Sequence, residues 1–152
     1  MKIIACLIIM CFSFFVFGEI DDSSFKNADK YNFLKQSSIG MVDSINLDIK
    51  FIPPKGKKVN KASFVKIWEK EKGKWIVSQQ IEISEAVEEW ADNELVSNVL
   101  LNSKNSEAAI EVEFIHCNLS GGQCAMERYL GRFSRDKKQT NNKLKFELKI
   151  KK

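Results

Sequence analysis

Three segments of this chain alternate apolar and polar residues one by one, and that period of two restricts the fold more than any other feature. Ile45, Leu47, Ile49 and Phe51 alternate with Asn46, Asp48 and Lys50 in SINLDIKFI. Ile110, Val112, Phe114 and His116 alternate with Glu111 and Glu113 in AAIEVEFIHC. In KLKFELKIKK the residues Leu144, Phe146, Leu148 and Ile150 share one side, with Lys and Glu on the other. Successive side chains of a β-strand point to opposite faces, so each segment reads as a half-buried strand.

Four further segments complete the pattern. SFVKIWEK and KWIVSQQIEI flank the charged, glycine-containing EKEKGK and read as two strands joined by a turn. Val65 and Ile67 oppose Phe64 and Trp68, so the first of these is expected to be buried on both sides. ELVSNVLL and AMERYLGRF are the remaining strands. Pro53, Pro54 and Gly56 end the first alternating segment, because a proline cannot donate to a ladder. Between Ser84 and Asp92 the period changes. Ser84 would cap a short helix there, with Val87, Trp90 and Ala91 inward; a loop with one turn is the other reading. About seven strands and at most one short helix predict an all-β, antiparallel β-sandwich.

The first eighteen residues stand outside this pattern. Met1-Lys2 precedes an apolar run from Ile3 to Phe17, and Val16 and Gly18 suit the −3 and −1 positions of a signal-peptidase site. The run is shorter than the roughly 20 residues of a membrane span, which favours a cleaved signal peptide over a retained anchor. Residues 1–18 are therefore read as a signal peptide, 19–40 as a loosely packed polar arm and 41–152 as the sandwich domain. Cleavage would remove Cys6, Cys11 and Lys2, taking the net charge from +4 to +3 and leaving Cys117 and Cys124 alone. An even pair in an exported domain fits a disulfide, in the periplasm of a bacterium or otherwise secreted. No stable membrane span would remain.

Charge is uneven. Nine acidic residues against Lys104 lie between Glu82 and Glu113, and ten basic residues against Asp136 and Glu147 lie from Arg128 onward. Lysines along a terminal edge strand block edge-to-edge pairing, and no aromatic stacking motif interleaves them, so nucleic acid is not an expected partner.

The chemistry narrows to CNLSGGQC. His116 is the one histidine, but strand neighbours face opposite ways and it cannot readily reach the Cys117 thiol. Two cysteines and one histidine crowded together lack the spacing of a zinc site. No phosphate loop and no Gly-x-Ser-x-Gly elbow is present, and no cofactor is expected. A strand enters Cys117 and a strand leaves Cys124, so the pair should face across a hairpin mouth and form a disulfide. Closing so small a loop contributes about 2 to 3 kcal/mol in the chain-entropy model. The pair is then either a permanent staple or a working dithiol. Asn118-Leu119-Ser120 is also a sequon, which makes Asn118 a glycan acceptor in a eukaryotic secretory pathway.

The order INLDIKFIPPKGKKVNK, then IEVEFIHCNLSGGQCAMERYLGRF, then a last alternating strand resembles a known family over roughly residues 42 to 150. It is similar to the amino-terminal, immunoglobulin-like domain of periplasmic thiol:disulfide interchange reductases, and to the β-sandwich of some NHL-repeat, thioredoxin-like proteins. The resemblance implies an immunoglobulin-like sandwich. It also implies that Cys117 and Cys124 are redox-active and exchange electrons with an exported, thioredoxin-like protein partner. The alternative is a non-catalytic secreted or periplasmic binding or accessory domain in which the same pair is structural.

Overall fold

The computed structural model describes residues 19–60, 63–82, 94–102 and 105–149. The expected signal peptide and the Ser84–Asp92 segment lie outside the described residues. Every strand read from the sequence is present: β3 (Ser44–Ile52), β5 (Phe64–Glu71), β6 (Lys74–Glu82), β7 (Glu94–Leu100), β8 (Glu107–Asn118), β9 (Cys124–Asp136) and β10 (Lys143–Lys149). Three short strands join them, β1 (Asn32–Phe33), β2 (Ser37–Gly40) and β4 (Lys57–Val59). The one helical element among the described residues is a single 3-10 turn, Ser24–Lys26.

The strands form two sheets packed as an all-β sandwich. The larger runs β1-β9-β8-β5-β6, with β2 continuing along β9 and β4 continuing along β8; the smaller runs β10-β3-β7. The hairpin pairs are antiparallel, as the turns require. Three pairings are parallel: β1 and β2 on β9, and β10 on β3. These join segments remote in sequence, so no hairpin turn constrains their direction.

The alternating apolar residues supply the core between the sheets. Ile45, Leu47, Ile49 and Phe51 of β3, with Leu144, Phe146 and Leu148 of β10, pack against Ile110, Val112 and Phe114 of β8. The opposite face of β10 exposes Lys143, Lys145 and Lys149 along the edge of the smaller sheet, where unpaired edges need charge.

Residues 19–40 are not a loose arm. Ile20 and Tyr31 are buried on the outer face of the larger sheet, in a second apolar cluster with Trp68, Trp75, Ala109 and Leu130. Asp22 fastens the segment by accepting hydrogen bonds from Lys70 Nζ at 3.0 Å, Trp75 Nε1 at 3.0 Å and Arg132 Nη2 at 2.8 Å. Further along, a Cβ at Gly131 would stand 2.7 Å from Leu34 Cβ, so only glycine lets the chain cross β9 here. The arm is held because the outer face carries an apolar patch, Trp68, Trp75, Ala109 and Leu130, that must be covered.

That cover changes the meaning of the glutamates in β8. Alternation made Glu111 and Glu113 look solvent-facing, yet they are 2% and 8% exposed. Glu111 accepts hydrogen bonds from Tyr31 Oη at 3.3 Å and Trp68 Nε1 at 3.1 Å, with Lys66 Nζ 3.9 Å away. Glu113 pairs with Arg128 at 3.1 Å. A buried carboxylate persists only when such partners replace water.

Candidate functional site: the hairpin disulfide

The β8–β9 ladder runs unbroken from Glu107↔Ser134 to Cys117↔Cys124. Beyond it the turn closes through Asn118 N–H to the Gln123 carbonyl at 3.1 Å, and Gly121 and Gly122 take φ of 86° and 98°. Those angles belong to the left-handed region that glycine enters without steric cost. Cys117 and Cys124 are directly opposed with Cα atoms 4.1 Å apart, and their sulfurs are bonded at 2.07 Å. The spacing suits the close, non-hydrogen-bonded pair of an antiparallel ladder, typically about 4.5 Å. The sequence expectation of a bridge across the hairpin holds.

The two halves of the bridge differ in environment. Cys117 is 6% exposed, whereas Cys124 is exposed at the mouth of the turn. Cys117 is flanked by β4, whose Lys58 is its register partner. Asn60, just past β4, donates from Nδ2 to Cys117 Sγ at 3.3 Å. The turn before β4 also grips the hairpin, through Leu119 N–H to the Gly56 carbonyl at 3.0 Å. On the same outer face, Ile115 is half-buried and Met126 is exposed. Met126 also lines an open groove of about 560 Å³ whose far wall is residues 28–32 of the arm.

His116 lies on the other face, 3% exposed, with its ring 5.8 Å from that of Phe114. It does not activate Cys117. Neither ring nitrogen has a hydrogen-bond partner among the described residues. Burial, and then the Lys57 charge, holds its pKa below the ordinary 6.5. The neutral imidazole is the form that this site accommodates.

A pH dependence follows. The unfolded chain takes up a proton at His116 near its ordinary pKa, about 6.5, while the native chain does so only at lower pH. Stability should therefore fall as pH drops below about 6.5. Urea midpoints at about pH 7 and pH 5 measure this, and His116→Phe should reduce the fall. An unchanged difference in that variant would rule His116 out as its source.

Asn118 is the last residue of β8, half-buried, and Leu119 and Ser120 of the sequon are exposed in the turn. No group of three or more His, Cys, Asp or Glu side chains is arranged to hold a metal among the described residues. Sequence reasoning had no means of finding Asn60 beside the bridge. It stands 57 residues from Cys117, and only the register of β4 on β8 brings it there.

Compared with models of known protein families and with curated protein sequences, the chain finds no match.

Proposed function

We propose that the chain is a thiol–disulfide exchange module that works through Cys117 and Cys124. One observation carries the reading. The bridge sits at the turn end of a long hairpin, with Cys124 exposed and Cys117 buried against a side-chain donor. A bridge whose only task was to staple the fold gains nothing from such asymmetry. The exchange reaction needs it: one sulfur must be reachable and the other must leave well.

In the reducing direction for this chain, a thiolate of a partner dithiol attacks Cys124 Sγ. The Cys117–Cys124 bond breaks, and its electron pair leaves on Cys117 as a thiolate. The partner's second thiol loses its proton and attacks the partner sulfur of the mixed disulfide, releasing Cys124. Two electrons and one proton have then passed from the partner, which becomes a disulfide, leaving Cys124 as a thiol and Cys117 as a thiolate. The reverse sequence reduces a partner disulfide. The resemblance to interchange reductases names the partner class, an exported thioredoxin-like protein. The setting is the periplasm of a bacterium or the exterior of another cell.

Equilibration of the purified protein against dithiol and glutathione buffers tests the proposal. The expected reduction potential lies above about −300 mV, in the range of exchangeable bridges. A lower value would mark a permanent structural bond and favour a non-catalytic binding or accessory domain.

A further inference from the structure

We infer that Asn60 is a positioning residue for the Cys117 sulfur, holding the thiolate formed when the bridge opens. The inference rests on the exchange reading above and assigns that site a component outside the two cysteines.

The pairing along β8 has a gap beside the bridge. Along one side of β8, β4 pairs with residues 116–118 and β5 with residues 108–113. Ile115 would lose its main-chain partners between them, and unpaired buried backbone groups are costly. Two residues fill the gap. Asn60 N–H donates to the Ile115 carbonyl at 2.7 Å, and Ile115 N–H donates to Ser63 Oγ at 2.9 Å. Ser63 is fully buried and donates back to the Asn60 carbonyl, from its hydroxyl at 2.8 Å and its N–H at 3.1 Å. The main chain of Asn60 is thus tied to β8 two residues from Cys117. Its side chain is short, so the amide is delivered to Sγ with little freedom.

A disulfide sulfur is a weak acceptor. A thiolate is a strong one, since a hydrogen bond to an ionised acceptor is roughly twice as strong as one between neutral groups. The same amide therefore stabilises reduced, ionised Cys117 more than it stabilises the bridge. Lys58, opposite Cys117 on the same face by register, adds positive charge. Exposed Cys124 has water in place of these partners. The difference lowers the Cys117 pKa relative to that of Cys124 and makes Cys117 the better leaving group.

The test uses two readouts. In Cys124→Ser, thiolate absorbance against pH reads Cys117 alone; adding Asn60→Ala should raise its pKa by about one unit. In the two-cysteine protein, Asn60→Ala should lower the equilibrium constant for reduction by glutathione about tenfold. Asn60→Asp keeps the shape and replaces the donor with a negative acceptor, so it should shift both quantities further. It also serves if the alanine variant folds poorly. A wild-type bridge that equilibrates with glutathione while the variants leave pKa and constant unchanged would overturn the role of Asn60 and leave the exchange reading standing. A wild-type bridge that never equilibrates would overturn both.

Discussion

Cys117→Ser is expected to trap a covalent adduct with a disulfide substrate, and Cys124→Ser is expected to react slowly. In the first variant the remaining thiol is the exposed one. Cys124 attacks the substrate disulfide, one substrate sulfur leaves, and no second cysteine is present to release the product. The adduct accumulates and turnover stops. In the second variant the remaining thiol is Cys117, 6% exposed between β4 and β9 and covered by Asn60. It is poorly reached, and access limits the rate. A chromogenic aromatic disulfide should react with Cys117→Ser on the order of tenfold faster than with Cys124→Ser. Equal rates, or the opposite order, would remove the assignment of Cys124 as the sulfur that engages the partner.

Arg135→Met is expected to cost about 3 to 5 kcal/mol of stability, the scale of breaking a buried charge network. The Arg135 side chain is fully buried. Its guanidinium donates to the Val42 carbonyl in the β2–β3 connection and to the Asn102 and Asn105 carbonyls in the β7–β8 connection, and lies 3.9 Å from Glu69. Glu69 in turn accepts from Asn102 N–H at 2.9 Å. Methionine fills much of the space but leaves the carbonyls without that donor and the carboxylate without its counter-charge. Arg135→Lys keeps the charge yet cannot reproduce the forked geometry, so it should recover only part of the loss. Urea unfolding with an unchanged slope is the measurement. A cost below about 1 kcal/mol would place Arg135 with ordinary surface pairs.

Three of the seven longer strands were legible from their alternation and four from apolar runs bounded by turn signals, and β3 matches the segment SINLDIKFI residue for residue. Strands β1, β2 and β4 were not. Asn32–Phe33, Ser37–Gly40 and Lys57–Val59 are too short to show a period, and they exist because β8 and β9 offer them a ladder. The outer cluster was half legible. Opposed apolar residues in β5 announced burial on both faces, but nothing local joined Trp68 to Tyr31 or Ile20. Glu111 and Glu113 misled because their partners are spread over other segments: Tyr31 of the arm and Trp68 of β5 for Glu111, and Arg128 of β9 for Glu113. At the site, the hairpin declared the cysteine pair because both strands and the turn are contiguous. Asn60 was hidden in a lysine-rich stretch whose place is set by register alone.

The parallel pairings impose an order of assembly. β2 has no edge to join until β9 has been synthesised, and β3 lacks its β10 neighbour until the last described strand exists. Ribosomal elongation therefore delivers the earliest strands long before their partners. Contacts between such distant segments slow folding, because a large loop must close before any reward is gained. The β8–β9 hairpin is the opposite case: it is local, it can zip from its turn, and its formation brings Cys117 and Cys124 together. The element able to form first is thus also the one that carries the disulfide, and its two thiols are brought together before the first strands have docked.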